Sequence, residues 1–223
     1  TLKTDLPVTM QLKDDLLAQS DVLLDANLYH VKNFNTQWNS IFSWRPALIK
    51  QINDVKIKAG LYPTFGQTFH LLPDISIQYP LKSVSSIIEL AWQSNIRLNT
   101  FKQITELNPF IFNHYKVRQS KNTELFAGMK GTYQHNFSYA FRGGIAVYEH
   151  LPVFLNDTSG DFKQFNILYE TKATALLLDA SVDYTLNSEV FAGAKLNFRP
   201  LLHQTDYKEV WHYIPTTFEL YGG

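Results

Sequence analysis

Apolar and polar residues alternate along most of the chain. Leu176, Leu178, Ala180, Val182 and Tyr184 fall on one face, with Asp179, Ser181 and Asp183 on the other. Val190, Ala192, Ala194, Leu196 and Phe198 oppose Gly193, Lys195, Asn197 and Arg199. The same pattern runs through Val55–Leu61, Leu71–Tyr79, Val84–Gln93 and Glu124–Lys130. A period of two is the signature of strands with two unlike faces. Helical spacing arises only near Leu12–Leu17, where Val8, Met10 and Leu12 alternate as well.

The pattern predicts an all-β chain of about eleven long strands, near residues 7–17, 20–31, 37–50, 54–64, 68–80, 84–99, 121–133, 137–153, 162–186, 189–202 and 211–222. Tight connections are expected at Ala18-Gln19, Gln51–Asn53, Leu81–Ser83, Gln134–Asn136 and Asn187-Ser188. Longer polar ones are expected at Lys32–Thr36, Thr100–Ser120, Phe154–Asp161 and His203–Val210, with a short exception near Phe65–Gln67. The two kinds alternate. An antiparallel up-and-down meander then collects the tight turns at one end and the long loops at the other.

Short turns at one end, long loops at the other and long alternating strands are the pattern of a transmembrane β-barrel. Aromatics near strand ends (Tyr79, Tyr133, Phe137, Tyr139, Tyr184) suit an interfacial girdle. The alternative is a soluble β-sandwich, a carbohydrate- or protein-binding adhesion module whose apolar faces meet each other. Eleven strands cannot close an even-numbered barrel, so an open sheet is expected, with residues 1–223 forming a single segment of a larger barrel. Such a sheet, isolated in water, should aggregate through its edges.

Composition sharpens this picture. The 223 residues carry 20 Lys+Arg and 20 Asp+Glu, a net charge of zero that argues against nucleic acid as a partner. Aromatic residues make up 14% and charged residues only 18%, so much apolar surface must be hidden in a core or in lipid. There is no cysteine, which excludes disulfides, thiolate metal sites and cysteine nucleophiles. No apolar run is long enough for a transmembrane helix. The chain opens without Met or a basic leader and stops in a strand-like segment, so both ends read as cuts.

Several phrases resemble TonB-dependent-receptor-like outer-membrane proteins of the Bacteroidota. They are Asn122–Gly131, with Leu107–Phe110 in the loop before it, then Leu151–Asp157 followed by Phe165–Glu170, and Glu209–Pro215. The resemblance covers roughly residues 60–223. It implies an outer-membrane barrel that takes up or binds a ligand at the cell surface, with the lipid bilayer as a partner. A small molecule, glycan or peptide would be the ligand, and a surface lipoprotein a possible partner. No plug domain or TonB box is recognisable.

No residue pattern points to an enzyme or a cofactor. The seven histidines are scattered; His203, Asp206, Glu209 and His212 form the densest ligand-type cluster, which reads best as a polar loop. A Ser-His-Asp site has no nucleophile-elbow sequence to hold it, leaving an outer-membrane enzyme as a second alternative. The best candidate for ligand contact is the aromatic and basic loop holding Phe101, Phe110, Phe112, Tyr115 and Arg118. Trp211 is added as a loop-base aromatic.

Overall fold

The structure is a computed structural model that describes residues 2–29, 37–111, 117–134, 136–157, 163–186, 190–207, 210 and 213–223. The described strands form one antiparallel 12-stranded sheet. They are β1 (Leu2–Lys13), β2 (Leu16–Tyr29), β3 (Gln37–Ile52), β4 (Val55–Phe65), β5 (Phe69–Leu81), β6 (Ser86–Arg97), β7 (Ser120–Tyr133), β8 (Phe137–Asn156), β9 (Phe165–Thr185), β10 (Phe191–Phe198), β11 (Leu201–Gln204) and β12 (Thr216–Gly222). One helix, α1 (Phe101–Leu107), lies between β6 and β7. The meander runs in chain order from β1 to β10 and then β12, with β11 beside β9. No pairing joins β1 to β12 among the described residues, so the sheet has two edges, as an open segment requires.

Alternation within each strand becomes continuity across strands, because the register shifts only at the Gln11–Lys13 end of β1 and within β11. Met10, Ala18, Leu48, Ala59, Ile75, Trp92, Leu125, Ile145 and Leu176 are successive partners from β1 to β9. Lys56, Gln78, Glu89, Gly128, Arg142, Asp179, Asn197 and Thr217 are successive partners on the other face, from β4 to β12. The apolar row stays bare: Trp92 is 47% exposed and Leu125 54%. No second sheet covers it among the described residues, so the sandwich alternative fails.

The strand ends correct the sequence reading in four places. The first tight turn is Asp14-Asp15 rather than Ala18-Gln19, because Gln11 pairs with Leu17 and Lys13 with Leu16. Two adjacent aspartates favour a turn over a ladder. The same pairing leaves no helix near Leu12–Leu17. The predicted strand 189–202 is two pieces. Pro200 has no N–H to donate, β10 stops at Phe198, and β11 restarts at Leu201 against β9, giving twelve strands instead of eleven. The last strand begins at Thr216 instead of residue 211.

The fourth correction is α1, inside the segment read as one long loop. Its start carries a capping box: the Thr100 hydroxyl accepts the Gln103 N–H while the Gln103 side chain accepts the Thr100 N–H. The tight turns place Asn53, Ser85 and Gln134 at positive φ, two of them in residue types with no special tolerance for it.

Part of the polar face is an apolar island of Ala91, Phe126, Ala146, Ala175 and Leu177. Phe126 pairs with Gly144, where an added Cβ would lie 2.6 Å from the Phe126 Cα. Strands β7 and β8 approach too closely there for any side chain. Gly144→Val is therefore expected to destabilise the sheet by about 1–3 kcal/mol, read as a lower urea midpoint in detergent micelles; an unchanged midpoint would refute the close approach.

Candidate functional site

The bare apolar face has a defined height. Phe69 and Tyr79 point outward from opposite ends of β5, 59% and 46% exposed. The ten steps between them span about 33 Å along the strand at ~3.3 Å per residue. At a tilt of ~40° this is about 25 Å along the normal, the height of an outer-membrane belt. Aromatics mark both rims. Phe42, Phe65 and Phe69 stack in a tilted run at the long-loop end, with centroids 6.2 and 5.1 Å apart. Tyr79, Tyr133, Phe137, Tyr139 and Tyr184 stand at the tight-turn end, where the sequence placed a girdle. Towards the long loops from Trp92, Leu125, Ile145 and Leu176 the same face turns mostly polar: Ser94, Thr123, Val147 and Thr174 form one row. Ile96, Lys121, Glu149 and Lys172 form the next. The tryptophans Trp38, Trp44 and Trp92 all lie on the apolar face.

The opposite face carries charge in matched sets. Arg142 and Arg199 share Glu124 and Asp179: Arg142 reaches Asp179 at 2.7 Å and Glu124 at 3.2 Å, and Arg199 reaches the same two at 2.8 and 3.0 Å. The Tyr148 hydroxyl accepts from Arg199, and Arg142 sits 4.9 Å above the Phe126 ring. The quartet ties together β7, β8, β9 and the end of β10. A concavity of about 320 Å³ opens beside it, lined in part by Glu89, Lys130, Asp179 and Lys195. Towards β2, Asp74 accepts from Tyr62, Lys58 and Gln93 at the edge of a second concavity of about 290 Å³.

The long-loop end is built on β8 and β9, which outreach their neighbours. The nineteen steps from Phe165 to Tyr184 are about 60 Å of strand, near twice the β5 span. Their tip packs Phe154 and Ile167 against Ile104 of α1, Ile111 and Val117, with Phe165 and Tyr169 alongside. Three candidate contact residues fall on this platform. Phe101 opens α1 half-buried; Phe110 is 64% exposed, its carbonyl accepting the Phe165 N–H. Arg118 is exposed, with its backbone N–H donating to the Tyr169 hydroxyl and its guanidinium 5.9 Å from that ring. Phe112, Tyr115 and Trp211 lie outside the described residues.

Solved structures similar to this sheet are the copper transporter OprC (TM-score 0.57, 12% identity, 87% of this chain and 36% of that one), the FrpB iron transporter from Neisseria meningitidis (0.62, 8%, 89% and 35%) and the siderophore receptor PirA from Pseudomonas aeruginosa (0.61, 8%, 88% and 41%). The fold is that of an outer-membrane receptor barrel. The chain spans little more than a third of those proteins' length. No protein-family model matches the sequence, and no curated protein does.

Two features of the barrel wall had no sequence signal. The first is a set of buried amides where the ladder forks. Pairing of β5 with β6 ends at Asp74 and Gln93, while β6 and β7 continue to Arg97 and Ser120. Above the short β4–β5 hairpin, residues 117–119 cross over to β3. The Gln119 amide donates to the Asn39 side chain and the Ser40 carbonyl, both at 2.9 Å. Gln67 and Gln119 exchange bonds between side chain and backbone, and Asn99 donates to Arg118 and Ser120. The short hairpin that stood out in the sequence is the one these residues roof over.

The second is Glu170, fully buried, whose carboxylate accepts the N–H groups of Thr205, Asp206 and Tyr207. Asp206 returns the contact by accepting the Thr171 N–H at 2.7 Å, a bond that holds its carboxyl below the usual range. Among the described residues no three His, Asp or Glu converge. His203 is exposed, and Glu209 and His212 lie outside the described residues.

Removing one member of the charged quartet leaves two carboxylates to one guanidinium. Arg142→Ala is expected to cost about 1–3 kcal/mol, measured by urea unfolding in micelles. Adding Asp179→Ala should restore part of the loss; strict additivity of the two substitutions would show that the pair does not interact.

Proposed function

We propose that this chain forms part of the wall of a TonB-dependent-receptor-like outer-membrane protein that captures a ligand at the cell surface. The observation that carries this reading is the unbroken apolar row from Met10 to Leu176, left bare on a face whose belt from Phe69 to Tyr79 is about 25 Å tall. In hydrocarbon, each backbone group must find a partner within the protein, so the edges at β1 and β12 call for further strands. The charged opposite face then lines a lumen. The neighbours in fold are named as carriers or receptors of copper, iron and siderophores, which supports uptake as the class of work. The Bacteroidota-like phrasing of Asn122–Gly131 and Leu151–Asp157 belongs to the same proposal.

Ligand contact falls to the outer platform. Phe101, Phe110 and Arg118 combine aromatic faces with a guanidinium, a surface suited to glycans, peptides or an anionic chelate; Phe112, Tyr115 and Trp211 belong to the same proposal by sequence alone. No step of covalent chemistry is invoked.

The absence of cysteine makes the orientation directly testable. In intact cells, a membrane-impermeant maleimide should label Lys102→Cys on α1 and spare Asn53→Cys in the β3–β4 turn until the cells are lysed. Equal labelling of both in intact cells would overturn the orientation.

A second test addresses the lipid face. Leu125→Arg should cost about 2–4 kcal/mol in a bilayer, the penalty for Arg at the midplane of a barrel's outer face. A charge reversal at Lys195, on the lumen side, should cost far less. Similar costs at both positions would mean that the 125 face does not meet lipid.

A further inference from the structure

At the outer rim the wall has a notch. It lies where β5 leaves β6, and its volume is about 150 Å³, the scale of one tetrahedral oxyanion with its first waters. Its lining includes His70, Arg118, Lys121, His150, Gln67 and Gln119. This set is cationic and rich in N–H donors. The carboxylate of Glu149 is held by Lys121 at 2.8 Å, so the guanidinium of Arg118 carries the positive charge left over in the notch. The Ser120 hydroxyl that faces the notch donates to the His150 carbonyl, and His150 takes a positive φ of 55°.

The height of the notch says where an anion would come from. Lys121 belongs to the first charged row on the long-loop side of the apolar face of β7 to β9, next to Glu149 and Lys172. The hairpin that supplies Gln67 and His70 carries Phe65 and Phe69 on the lipid side, 53% and 59% exposed. A group seated in the notch therefore lies level with lipid headgroups while acyl chains run down beside those rings.

We propose that this notch binds a phosphate on the headgroup of an outer-leaflet glycolipid, fixing one lipid against the fork between β5 and β6. The proposal rests on the barrel reading above. Arg118 and Lys121 supply charge-assisted bonds, and the Gln67–Gln119 lattice holds the walls of the notch apart.

The test uses the full chain in phosphatidylcholine nanodiscs doped with diphosphoryl lipid A or with its dephosphorylated form. Protease shielding of the strands is checked first, so that failed insertion, which would count against the barrel itself, is told apart from failed binding. Native mass spectrometry then reads the lipid retained. The expected result is a preference of about tenfold for the diphosphoryl lipid, reduced by Arg118→Gln, by Lys121→Gln and by His70→Ala, and unaffected by Lys102→Gln on α1. Equal retention of the two lipids by inserted protein would overturn the proposal. So would displacement of the lipid by inorganic phosphate at equal concentration, which would make the notch a site for the free anion.

Discussion

Everything in this sheet depends on register. A strand's side chains change face at every residue, so a slip of one position would send the charged row into the apolar belt. The pairing avoids this through nine consecutive strands, in which Met10 and Leu176 stand at the ends of a single apolar row. The tight turns fix it locally: Asn53, Ser85 and Gln134 accept positive φ to reverse the chain at the right step. Where a strand meets a residue that cannot donate, as at Pro200, the ladder stops and a new piece starts further along the same neighbour, β9. Register is kept at the expense of continuity.

The two faces solve opposite electrostatic problems. The apolar face, proposed to meet lipid, carries few polar groups between its rims, Ser20 being one. The other face must hold charges close together beside water. It does so by sharing, with two guanidiniums on two carboxylates and Asp74 among three donors. Sharing leaves each charged group with several partners, so loss of one partner is only partly compensated by the rest. Glu170 takes the same solution to full burial, with three backbone N–H groups.

How much of this was legible beforehand follows from period and range. The faces of β4 to β7, β9 and β10 could be read because alternation is a local property of ten or so residues. The open meander and its two unlike ends followed from turn spacing. The Asp14-Asp15 turn was missed because Leu16-Leu17 and Met10-Gln11-Leu12 offer two registers of nearly equal pattern, which only pairing decides. Helix α1 did carry a mark, Thr100 and Gln103 at capping-box spacing, hidden within an aromatic loop. Asn39 and Gln119 carried none, and Gln67 and Glu170 were marked only as the end of a short turn and of a family-like phrase. Single amides and a lone acid acquire meaning only from partners tens of residues away. Of the candidate contact residues, Phe110 joins the platform through Phe165 and Arg118 through Tyr169, partners more than fifty positions away.

The roof over the short β4–β5 hairpin bears on how such a wall is made. Nearly all its ladder contacts join strands that follow one another in sequence, which suits assembly one hairpin at a time with little loop-closure entropy to overcome. The bond between Gln119 and Asn39 is of another kind, since it closes 80 positions. It cannot form until the strands from β3 to the start of β7 stand side by side. The buried amides therefore act as a late checkpoint in assembly: left unpaired by an incomplete wall, they favour its reopening, and they reward only the finished arrangement.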